Sequence, residues 1–124
     1  FKVVRDREQL AALSQCRDAG TQLLADAAMA IVVMADPSIT DIWVEDCASA
    51  TSYILLQAED LGLGACWVQV HSRGKEDGRS AQEIVKEVLS IPADYQVLSM
   101  VAVGHKAVPR NPQNEDKLLW DHVL

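Results

Sequence analysis

From Cys47 to Ala58 (CASATSYILLQA) there is no charged side chain, and this uncharged stretch constrains the fold more than any other feature. A helix is predicted from about Asp41 or Trp43 to Leu61. Its polar residues in that interval are Ser49, Thr51, Ser52 and Gln57, all uncharged. A helix without a charged face is expected to be buried on nearly all sides. Ala48, Ser49, Ala50 and Ser52 are small enough for other backbones to approach closely. A chain of 124 residues buries roughly two-thirds of its unfolded surface. Burying one helix completely in so small a chain calls for a second subunit, so a homodimer is expected.

Strands are predicted on either side of this helix. Met29–Ala35 (MAIVVMA) is a continuous apolar run ended by Asp36-Pro37-Ser38, as expected of a strand buried on both faces. Phe1–Arg5, Ala65–Val70 and Tyr95–Val103 are further strands, with Gly104 closing the last. Asp6-Arg7-Glu8-Gln9 and Ser80-Ala81-Gln82-Glu83 read as capping boxes. The first opens a helix to about Asp18, ended by Gly20; the second opens a helix to about Leu89. A short helix is expected at Thr21–Ala25 and another within Glu115–His122. Strands alternate with helices, so the predicted architecture is α+β, with a central mixed sheet flanked by helices.

The net charge of −7 argues against nucleic acid, whose phosphates require clustered Lys and Arg, and against an anionic membrane surface. No apolar run reaches spanning length and no signal peptide is apparent. Cys16, Cys47 and Cys66 have no CxxC spacing, which fits free thiols in a reducing cytoplasm.

Gly62 and Gly64, in AEDLGLGACWVQV, raise the question of a nucleotide loop. A phosphate-cradling loop follows a strand and opens a helix, because the ligand uses the helix N-terminus. Here the glycines follow a helix and precede a strand. They read as a helix C-cap at Gly62 and a tight start to the strand at Gly64. Neither Val4-Arg5-Asp6 nor Ala35-Asp36-Pro37 supplies the glycine loop of a doubly wound dinucleotide fold. His71, His105 and His122 have no metal-ligand spacing. Cys66 has no base near it in sequence and reads as a buried free cysteine. Glu59 and Asp60 read as a solvated helix end. Lys106 and Arg110, after Gly104, read either as surface charges or as a phosphate pocket. No catalytic acid, base or nucleophile stands out.

The chain resembles the flavin-dependent nitroreductase family. The likeness lies in Phe1-Lys2-Val3-Val4, in Ala27–Val33, and above all in the helix from Asp46 to Leu61 running into Gly62-Leu63-Gly64-Ala65-Cys66-Trp67. It continues through Ile91-Pro92, Val97–Val103 and Gly104-His105. The resemblance implies a three-layer sandwich and a homodimer with FMN at its interface. It places Cys66, Trp67, Val68 and Gln69 against the isoalloxazine ring, and Lys106 and Arg110 at the phosphate. It implies hydride transfer from NAD(P)H through FMN to a nitroaromatic, quinone or similar small acceptor. The cofactor then carries the chemistry, which suits a chain without a catalytic constellation.

The sequence also departs from that family. A first helix with an Arg-rich phosphate-binding motif and a Pro-Ser segment precede the first strand in the family, and residues 1–124 contain neither. The chain begins with Phe rather than Met. It is therefore expected to be a fragment or processed form, a single domain over 1–124 lacking that motif. Each missing Arg–phosphate contact is worth about 1.5–3 kcal/mol, so two would weaken FMN binding by about two to four orders of magnitude. The rival expectation is a nitroreductase-fold remnant, flavin-free or weakly flavin-binding, serving dimerisation or a small ligand.

Overall fold

The computed structural model describes residues 1–108 and 114–123. Four strands form one sheet: β1 (Lys2–Val4), β2 (Met29–Ala35), β3 (Leu63–Gln69) and β4 (Gln96–His105), in the order β1-β2-β4-β3. The helices are α1 (Arg7–Leu13), α2 (Trp43–Asp60) and α3 (Ala81–Leu89). The α+β reading holds. The sheet differs from the mixed one expected, because all three described pairings are antiparallel.

Helices cover both faces. Leu10, Leu13, Val85 and Leu89 of α1 and α3 bury against Val32, Val68, Met100 and Ala102 on one face. Cys47, Ala48 and Ile54 of α2 pack against Val33, Leu98 and Trp67 on the other. This is the expected three-layer arrangement. β4 lies at its centre and is buried from Val97 to Val103, which accounts for its near-continuous apolar run.

A bulge in β4 adjusts the packing. Ser99 pairs with Val33 and Val97 with Met34, so Leu98 is an extra residue. Leu98 joins the α2-side core, and Ser99, turned to the same side, hydrogen-bonds Thr51.

Helix ends follow local chemistry. The Asp6 side chain accepts from the Gln9 N–H and caps α1. At α3 the full capping box forms, with Ser80 accepting from the Glu83 N–H and Glu83 accepting from the Ser80 N–H. Gly62 follows α2 at φ +72°, the left-handed conformation of a glycine C′ residue.

Three expectations change. α1 ends at Leu13 rather than near Asp18, since residues after Ser14 turn to meet other parts of the chain. Thr21–Ala25 holds only a 3₁₀ turn at Gln22–Leu24, and Glu115–His122 holds two such turns. α2 is buried on one side only: Cys47, Thr51 and Ala58 face inward, while Tyr53 is 73 % and Leu56 65 % exposed. The missing charge is therefore not explained by burial within one chain. No described helix is long and apolar enough to cross a membrane.

Candidate functional site

β3 is an edge strand, paired with β4 on one side and with no described strand on the other. The Val70 N–H donates to the Leu98 carbonyl at 3.0 Å. Residues of an antiparallel pair alternate between facing the partner strand and facing away. Cys66 and Val68, in phase with Val70, therefore turn their backbone groups toward β4. Ala65, Trp67 and Gln69 turn theirs outward. Two contacts agree: the Gln69 carbonyl accepts from Arg17 Nη1 at 3.2 Å, and the Trp67 carbonyl lies 3.8 Å from Cys66 Sγ.

The four β3 residues singled out from sequence thus divide by face. Val68 is buried on the α1–α3 side and serves the core. Cys66 points to the same side, but it is exposed rather than buried as expected. It lies where the helices give way to a cleft of about 380 Å³ lined by Leu23, Asp26, Gly64, Ala102 and His105. The other two cysteines are buried, and burial pushes the thiols of Cys16 and Cys47 up, away from reactive thiolate.

Trp67 and Gln69 lie on the α2 side, joined by a 2.8 Å bond from Trp67 Nε1 to Gln69 Oε1. Gln69 Nε2 donates to the His71 carbonyl at 3.1 Å, so both ends of the Gln69 amide are held. The His71 ring meets the Trp43 ring edge-to-face at 4.9 Å, tying the end of β3 to the start of α2.

At the expected phosphate pole, Lys106 is ion-paired. Lys106 Nζ lies 2.6 Å from Glu59 Oε1, across 47 residues of chain. Glu59 is thus an ion-pair partner as well as a solvated helix end. Arg110 lies outside the described residues. A polar cleft of about 360 Å³ adjoins the pair, lined by Gly64, His105 and Ala107.

Sequence reasoning missed two features. Ala65 belongs to the outward set because of its phase on β3, which only pairing with β4 reveals. Arg17 reaches β3 from the turn after α1, in a segment read as the end of a helix. Gly20, close behind it, was the available signal that the chain turns here.

Outward N–H and C=O groups on a strand edge can hydrogen-bond the polar edge of a planar heterocycle, and clefts of this size hold small ligands. The β3 donor set fits an isoalloxazine ring. The phosphate pole fits less well, because its described cation is already paired.

Comparison with known proteins identifies the family of the chain. The sequence model of the nitroreductase family matches residues 2–105. A "Putative NADH dehydrogenase/NAD(P)H nitroreductase" of Archaeoglobus fulgidus is 41% identical over 109 residues, covering 85% of this chain and 59% of that protein. A protein of the same name from Methanothermobacter thermautotrophicus is 37% identical, covering 99% of this chain and 62% of its own length. The chain therefore spans about three-fifths of these curated relatives. The solved structure of an FMN-dependent nitroreductase from Clostridium difficile R20291 superposes with a TM-score of 0.95 at 40% identity, covering 99% of this chain and 72% of that one.

Proposed function

The chain belongs to the nitroreductase family, and on that premise we propose that it is an FMN-dependent oxidoreductase acting on a small-molecule acceptor. The observation that carries this reading is the β3 edge that no described strand covers, where Ala65, Trp67 and Gln69 turn backbone N–H and C=O groups outward. The chemistry FMN supplies when bound is hydride transfer from NAD(P)H to a nitroaromatic, quinone or similar acceptor.

The chain's own residues bind and orient. The outward groups of β3 hydrogen-bond the ring edge. The Trp67–Gln69–His71 bonds hold that strand end in one geometry. Val68 anchors the strand in the core, and Cys66 borders the adjoining cleft. Lys106, with Arg110, serves the phosphate, and for Lys106 that requires release from Glu59. The exposed apolar side of α2 supports a homodimer, and a monodisperse 13.6 kDa species in solution would sink that part of the reading. Three free cysteines suit a reducing cytoplasm.

One observation favours a second reading, a flavin-free fold serving dimerisation or a small ligand: Lys106 is already ion-paired. The visible absorption spectrum of the purified protein, after FMN addition and desalting, separates the two. Retained flavin absorbance that bleaches with NAD(P)H supports the oxidoreductase; no retained flavin supports the second reading.

A further inference from the structure

A half-buried cation stands at the Gln69 end of the β3 edge. Among the described residues the Arg17 side chain donates one hydrogen bond, to the Gln69 carbonyl at 3.2 Å, and a guanidinium has five N–H donors. Among the described residues no carboxylate forms a salt bridge with it. Asp18, the acid next to it in sequence, is turned away and accepts from the Glu76 N–H at 2.7 Å. Gly20 lies beside the guanidinium: a Cβ there would stand 3.6 Å from Arg17 Nη2. The Thr21 hydroxyl bonds the Ser14 carbonyl at 2.7 Å and closes the turn that carries Arg17, so the charge is held in place.

We propose that Arg17 sets the electron affinity of the bound flavin, by fixing positive charge at the strand edge on which the ring docks. This rests on the FMN reading above. Adding a hydride to FMN delivers two electrons and one proton, so the ring gains one negative charge. A fixed cation at the site favours that state over the oxidised one, and the low-dielectric surroundings of a half-buried group strengthen the effect. A purely structural Arg17, supporting Gln69 alone, would support both redox states equally.

The test measures FMN dissociation constants twice, with oxidised FMN and anaerobically with dithionite-reduced FMN. The proteins compared are wild type, Arg17→Gln, Arg17→Lys and Arg79→Gln, the last altering a surface cation that pairs with Glu87. For Arg17→Gln, reduced FMN is expected to lose about tenfold more affinity than oxidised FMN, equivalent to about 30 mV for a two-electron couple. Arg17→Lys keeps the charge and is expected to keep the ratio within about threefold. Arg79→Gln is expected to match wild type.

Equal losses for both FMN forms in Arg17→Gln, or no loss, would overturn the proposal while leaving the FMN reading intact. If Arg17→Gln does not fold, a tenfold fall in the ratio for Arg17→Lys overturns it instead. If wild type binds neither form, the FMN reading falls and this inference with it.

Discussion

The hydroxyls of Thr51 and Ser99 lie 2.8 Å apart, fully buried between α2 and β4, and Thr51 also reaches the Cys47 carbonyl at 2.7 Å. The bulge at Leu98 turns Ser99 to this side, so the pair fixes how α2 seats on the sheet. Thr51→Val removes the partner of a buried hydroxyl and is expected to cost about 1–3 kcal/mol. Replacing both residues, as Thr51→Val with Ser99→Ala, is expected to cost less than the sum of the single changes. Urea unfolding of the four proteins gives the coupling; strict additivity would mean the hydroxyls do not support one another.

Gly62 and Gly64 are expected to respond oppositely to a methyl group. Gly62 has φ +72°, and a Cβ there would meet nothing within 4 Å, so Gly62→Ala costs only backbone strain, about 1–2 kcal/mol. Gly64 has an ordinary strand conformation, and a Cβ there meets Lys106 Cγ at 3.5 Å, a normal contact. Gly64→Ala is expected to leave stability within about 0.5 kcal/mol of wild type or to raise it slightly. Equal losses at the two sites would refute the division into cap and strand residue.

The caps predict an acid-side loss of stability. The Ser80 backbone N–H and hydroxyl hold the Glu83 carboxyl below the usual glutamate value, and Ser38 does the same for Asp36. Lowered folded values mean that the unfolded chain takes up protons first. This contribution is therefore complete above the unfolded carboxylate pKa of about 4 and is lost as pH falls through the lowered folded values. Thermal midpoints are expected to drop between about pH 5 and pH 3, and Glu83→Gln to drop less over that interval. A Glu83→Gln profile parallel to wild type would show that this carboxylate does not contribute.

The Glu59–Lys106 pair competes with any anion that Lys106 would hold. Glu59→Gln frees Lys106 and is expected to tighten FMN binding by at most about fivefold, since an exposed pair is worth about 0–1 kcal/mol. Lys106→Gln is expected to weaken binding. Fluorescence titration at low and high salt checks both, and the gain should shrink as salt rises. A weaker-binding Glu59→Gln variant would mean that Glu59 supports the site rather than competing for it.

Much of the fold was legible locally. The Ser80–Glu83 box, the Asp6 cap and the Gly62 helix end are set by residues within a few positions of one another, so their chemistry can be read directly from sequence. The two apolar runs announced β2 and β4 for the same reason. The resemblance in Gly62–Trp67 implied a ligand-binding role for β3, although it could not say which of its residues face outward.

What remained hidden depended on residues far apart in sequence. Which β3 backbone groups face solvent is decided by pairing with β4, some 30 to 40 positions away. Lys106 meets Glu59, and Arg17 meets the Gln69 carbonyl, only once the sheet has formed. The uncharged stretch of α2 correctly marked an unusual helix, but hydropathy does not say whether the apolar surface is covered by its own chain. Tyr53 and Leu56 show that one side is not. Sequence by itself determined the elements, because capping and hydrophobic runs act over short distances. Only the tertiary structure decided the strand order, the exposed edge and the charge pairs at the candidate site, because these are distances between segments that the linear order does not encode.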